Sequence, residues 1–151
     1  MPRSAAEFRT MFLFGAPNET PHSWNLGFDD FTAALLRRNP QAFTRLTRDP
    51  LLGDNLSFTF DTADGTREGM VSVDPDGAAL NDCTAGEALE FALWLRREIV
   101  PPDAEIHFNL REAAAIDLPN LPLPTGDPTA TENALLDYVS DMLAARARGE
   151  L

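Results

Sequence analysis

Lysine is absent from this sequence, and all 12 basic side chains are arginine. Cysteine occurs once, at Cys83, so no disulfide can close within the chain and nothing points to an oxidising compartment. Cys83 lies just ahead of a helix start and reads as a small packed residue rather than a nucleophile. His22 and His107 are the only histidines. With Cys83 they offer no paired spacing for zinc. The N-terminal apolar run, Met11 to Phe14, is too short for a membrane span or for the h-region of a signal peptide. A cytoplasmic protein without membrane contact is therefore expected. There is no glycine-rich phosphate loop, no dinucleotide fingerprint and no nucleophile elbow.

What is abundant is acid. The formal net charge is −12 and the pI about 4.4. Residues 1–50 hold five acidic and six basic side chains, a net of +1; residues 51–151 hold 19 and six, a net of −13. Such a field repels nucleic-acid phosphates and steers a cationic partner towards the surface. It also keeps a protein soluble. The arginine-only, alanine- and proline-rich composition is of the kind written by high-GC bacterial genomes.

The 151 residues predict a single domain. Thr84–Val100, TAGEALEFALWLRREIV, organises it. Thr84 and Glu87 form a capping box, and Pro101-Pro102 stop the helix. Ala88, Phe91, Ala92, Leu95 and Ile99 share one face, widened by Ala85, Leu89, Leu93 and Val100. That arc is broader than an ordinary apolar stripe, so packing on more than one side is expected. Trp94 falls among Glu87, Glu90, Arg97 and Glu98. Three readings stand: cover by a loop or the C-terminal helix, an exposed anchor for a partner, or stacking on the stem of Arg97.

Along the chain, residues 1–27 read as an irregular N-terminal segment, with Phe8 to Phe14 a short strand or helical turn. Phe28, Phe31 and Leu35 begin a helix that ends at Asn39, before Pro40. A second short helix is expected from Gln41 to Arg48. Arg37, Arg38, Arg45 and Arg48 form the chain's one basic patch. Leu56–Phe60 alternates as a half-buried strand does. Asp64-Gly65 turns into a return strand, Arg67 to Asp74, with Val71 and Val73 inward and Met70 outward. Asp74 to Gly77 turns again into a third strand, Ala78 to Asn81, completing a meander. Ala104–Leu110 alternates once more, with His107 and Asn109 outward, and Glu112–Leu118 adds a weak strand. PNLPLPTGDP, residues 119–128, is a proline-rich strap. Thr129 and Glu132 form a second capping box for a final helix whose apolar face is Leu135, Leu136, Tyr138, Val139, Met142 and Leu143. The fold class is α+β, an antiparallel sheet of four to five strands packed on one face against helices.

Chemistry is sparse. Asp74 to Gly77 begins like a calcium loop, but its glycine comes early and its twelfth position is Ala85. Ser72, His107 and an aspartate make no convincing triad. Paired carboxylates are inevitable among 24 acids and so point to nothing. No cofactor and no metal are expected.

Two resemblances follow. The acidic turns Asp61 to Glu68 and Asp74 to Asp82, the exposed Met70 between them, and the phrase ALEFALWLRREIVPP resemble the immunity proteins of bacterial polymorphic toxin systems. That resemblance implies a non-enzymatic domain that neutralises a basic toxin domain by occlusion. The expected partner-binding residues are Trp94, Asp61, Asp64, Glu68, Met70, Asp74, Asp76 and Glu90. The element order over residues 28–148 also resembles class I type III secretion chaperones, which implies a homodimeric adaptor binding an extended client segment. An enzyme of unrecognised type is the third alternative.

Overall fold

The computed structural model describes residues 4–51 and 53–149. The alternation that begins at Leu56 runs across the whole sheet. Leu56, Phe58 and Phe60 in β3 (Asn55–Thr62) are buried, and so are Val71 in β4 (Gly65–Val73) and Ala78 and Leu80 in β5 (Asp76–Cys83). These three strands pair consecutively as the meander, with Leu56 opposite Val71 and Val71 opposite Ala78.

The sheet is larger than the four to five strands expected: with β1 (Thr10–Gly15), β2 (Phe43–Thr47), β6 (His107–Leu110) and β7 (Leu121–Pro122) it has seven, in the order β2-β3-β4-β5-β1-β6-β7, each pairing antiparallel. Three strands are gained and one expected strand is lost. First, residues 1–27 are not wholly irregular. Thr10–Gly15 forms β1, which pairs with β5 on one side and with β6 (His107–Leu110) on the other. Phe12 and Phe14 alternate into the core, and burial of those two rings favours a strand at the centre of the sheet.

Second, the short helix expected over 41–48 is a strand, β2 (Phe43–Thr47), paired with β3. Asn39 does not start a helix. It closes α1 (Phe28–Arg38), its backbone N–H donating to Leu35 O. Phe43, Thr44 and Thr47 favour extended backbone, and the free edge of β3 supplies the partner. Third, the weak strand expected over 112–118 is a short helix, α3 (Arg111–Ala114), as the Glu-Ala-Ala-Ala run prefers. A two-residue strand, β7 (Leu121–Pro122), arises within the strap and pairs with β6.

The helices α1, α2 (Ala85–Glu98) and α4 (Pro128–Ala147) cover the apolar face. Phe31 of α1 meets Phe58 at 5.0 Å between ring centroids. Phe91 of α2 stacks on Phe58 and Phe60, and Tyr138 of α4 meets Phe108 edge-on at 5.4 Å. The capping box of α2 is formed, Glu87 N donating to Thr84 Oγ1 and Thr84 N to Glu87 Oε1. The capping box expected for α4 is not. Its N-cap is Asp127, which accepts from Thr129 N, with Pro128 in the first turn; Thr131 is buried and its hydroxyl donates to Pro124 O. Within the strap Leu123 is buried with its N–H on Ile106 O, and the backbone bends at Gly126, where φ is positive. Arg96, half-buried on α2, donates to Pro124 O at 2.9 Å and stitches the strap to the helix layer.

Candidate functional site

The alternation that buries Leu56, Phe58 and Phe60 sends Ser57, Thr59 and Asp61 to the opposite face. The register then sets Met70 beside Ser57, Glu68 beside Thr59 and Thr66 beside Asp61. Phe43, on β2, joins the same row beside Thr59. Met70 is 45 % exposed and Phe43 61 % exposed. Three acids crowd the hairpin between β3 and β4: Asp61, Asp64 in the turn, and Glu68. The turn is held by Thr62, whose hydroxyl donates to Gly65 O and accepts from Asp64 N, and by Thr66, whose hydroxyl donates to Asp61 Oδ1 at 3.0 Å. Among the described residues none of the three carboxylates lies in an ion pair. The arginine between them, Arg67, points to the other face and pairs with Glu87.

Towards the centre of this face the side chains become small. Ala79 lies between Met70 and Leu13, and Gly77 lies between Ser72 and Gly15. A shallow cavity of about 330 Å³ results, walled by Met70, Asn55, His107 and Asn120. Asn120 is brought there by Asn109. Asn109 faces outward as expected, in register with Leu13, but it is covered: Nδ2 donates to Leu118 O and Asn120 Oδ1. Tyr138 OH donates to Asn109 Oδ1, joining α4 to the same group.

Of the eight residues expected to meet a partner, Asp61, Asp64, Glu68 and Met70 share this hairpin. Asp74 stands at the far end of β4, 3.4 Å from His22 Nε2. Asp76 is 3 % exposed and belongs to the interior. Its carboxylate accepts from Trp24 N, and its backbone bonds Pro21 and Ala16. Trp94 is 2 % exposed and does not stand out as an anchor. Phe31 of α1 meets it edge-on at 5.5 Å, and the Arg38 guanidinium lies 5.8 Å from its ring. Its cover is therefore α1, neither a loop nor the C-terminal helix, because α1 lies beside α2 on the sheet. Glu90 is in the helix layer and pairs with Arg38.

Phe43 and the small-residue trough were missed by sequence reasoning. Phe-Thr-Arg-Leu-Thr carried the signal for Phe43 in its β-favouring side chains. The trough carried none, since Gly15 and Gly77 become neighbours only through the sheet order.

Electrostatics elsewhere hold the fold. Glu87 takes Arg9 at 3.1 Å and Arg67 while it caps α2. Burial pushes the Cys83 thiol up to about 12. Among the described residues no group of three or more His, Cys, Asp or Glu is placed to hold a metal ion, and no helix is long and apolar enough to cross a membrane. No known protein-family model matches the chain, and no curated protein or solved structure is significantly similar to it.

Proposed function

We propose that the protein is a non-enzymatic, acidic binding domain that occludes a basic protein, in the manner of an immunity protein facing a toxin domain. One observation carries this reading. Asp61, Asp64 and Glu68 stand on one hairpin with no arginine in ion-pair range among the described residues, beside the exposed Met70 and Phe43. Arg9, Arg37, Arg38, Arg67, Arg97 and Arg111 pair instead with Asp82, Glu87, Glu90, Glu98 and Glu112. The hairpin thus sets negative charge outside any ion pair next to apolar surface, the pairing an interface needs for steering and for burial.

The test is capture from the source lysate by the wild type and by the Asp61→Asn, Asp64→Asn, Glu68→Gln variant, at low and at high salt. A basic protein is expected on the wild type at low salt, weakened by salt and lost from the variant. Equal capture of that protein by both, unaffected by salt, would refute the reading.

A further inference from the structure

The sheet ends on two edges that the sequence treats in opposite ways. An edge strand exposes unpaired N–H and C=O groups and recruits another strand unless something blunts it. At β7 the edge is two residues long, set among Pro119, Pro122 and Pro124, which have no N–H to give. At β2 no proline stands guard, and the one charged side chain within the strand is Arg45. Phe43–Thr47 runs five residues without proline, pairs only with β3, and is exposed along most of its length. Phe43 lies on the helix-free face, opposite Thr59, and Leu46 lies on the helix face, opposite Leu56. Beside Leu46 is a depression of about 480 Å³ lined also by Gly27, Phe28, Asp29, Asp30 and Arg48, so an incoming carboxylate is disfavoured on this face and an apolar side chain is not.

Charge decides what fits. Residues 37–48 carry four arginines and no acid, in a chain of net charge −12. Arg38 is taken by Glu90 and Arg37 by Glu98. Arg45, in the middle of β2, and Arg48, just after it, are in no ion pair among the described residues. A second copy of this chain would bring the same basic strand against itself, and like charges opposite one another destabilise strand pairing. An acidic strand meets no such penalty.

We infer that β2 is a docking edge for an extended segment of another protein, one that alternates apolar and acidic side chains and adds to the sheet as an eighth strand. Backbone hydrogen bonds along Phe43–Thr47 supply the attachment, and alternate side chains supply the choice. On the helix-free face the segment places a carboxylate opposite Arg45. On the helix face it places an aliphatic side chain beside Leu46, over Phe28. This edge shares Phe43 with the acidic-hairpin surface, but its charge, Arg45, is of opposite sign, and the inference does not rest on the function proposed for the hairpin.

The experiment is amide hydrogen exchange of the full chain with a nine-residue probe of alternating valine and glutamate, and with the same peptide carrying lysine for glutamate. At millimolar valine–glutamate peptide, exchange is expected to slow at alternate amides of residues 43–47, those whose N–H points away from β3. The lysine peptide should leave them unchanged. Arg45→Glu, an exposed change, should reverse the preference between the two peptides. The inference is overturned if neither peptide slows these amides, if protection falls elsewhere, or if Arg45→Glu leaves the preference as it was. Slowing at residues 43–47 that follows the protein's own concentration, without peptide, would make the occupant a second copy and overturn it as well.

Discussion

The Asp76 carboxylate accepts the backbone N–H of Trp24 at 3.1 Å, a contact between residues 52 apart in the chain. The two ends of the same loop are tied nearby, Ala16 N donating to Asp76 O and the Trp24 indole donating to Glu105 O. A turn-rich segment with little strand or helix of its own is thereby clamped to the start of β5 and to the approach to β6. Replacing Asp76 with alanine leaves a buried N–H without its acceptor. A stability loss of about 1–3 kcal/mol is expected from urea unfolding, with Trp24 more open to a fluorescence quencher. An unchanged midpoint would contradict the clamp.

Gly69 and Phe58 face each other across β3 and β4. A Cβ at Gly69 would stand 2.2 Å from Ala79 O and 2.3 Å from Phe58 Cζ. Glycine is therefore required by space, because the Phe58 ring lies across it on the way to Phe31 and Phe91. Gly69→Ala is expected to destabilise by about 3 kcal/mol or to prevent folding, since the carbonyl belongs to a paired strand and cannot swing aside. A variant as stable as the wild type would show that the strands separate easily there.

Trp94 and Glu90 are four residues apart on α2 yet have opposite fates. Trp94→Ala removes a ring packed between Phe31 and Phe91 and is expected to cost about 3–5 kcal/mol. Glu90→Gln breaks an exposed pair with Arg38 and is expected to change stability by at most about 1 kcal/mol. Thermal unfolding of both variants decides. A mild Trp94→Ala would mean that α1 is not its cover.

Cys83 gives a pH signature. Burial raises its thiol from the ordinary 9.0 to about 12. Between those values the unfolded chain has lost the proton and the folded one keeps it. The unfolded state then binds fewer protons, so stability falls as pH rises through that window, and below it the contribution is fully present. Relative to Cys83→Ala, the wild type is expected to lose about 1.4 kcal/mol per pH unit there. At neutral pH the folded thiol should resist a thiol reagent and react only after unfolding. Rapid labelling of the folded protein would contradict the burial.

Much of the architecture was legible in local pattern. The alternation of Leu56, Phe58 and Phe60, the capping box at Thr84 and Glu87, and the repeat of Phe28, Phe31 and Leu35 are each spaced within a few residues, and each formed its element. What escaped depends on distant partners. Residues 10–15 become a central strand only because β5 and β6, more than 60 residues on, close on both sides. Phe43–Thr47 turns from a helical reading to a strand because β3 offers an edge. Within the site, exposed turn acids such as Asp61, Asp64 and Glu68 follow from turn chemistry, whereas the burial of Asp76 needs the loop of Trp24 and that of Trp94 needs the neighbouring α1. Wheel position placed Trp94 among charges and carried no information about a second helix.

The central claim is that a basic protein docks on the helix-free face around the acidic hairpin. Two methionines report on it directly. Met70 stands on that face between Ser57 and Ala79, and Met142 is buried on the inner side of α4. With methyl-labelled methionine, addition of the captured basic partner is expected to shift and broaden the Met70 signal, to leave Met142 in place, and to do neither in the Asp61→Asn, Asp64→Asn, Glu68→Gln variant. A bound partner that leaves Met70 untouched would place the interface elsewhere and contradict the account.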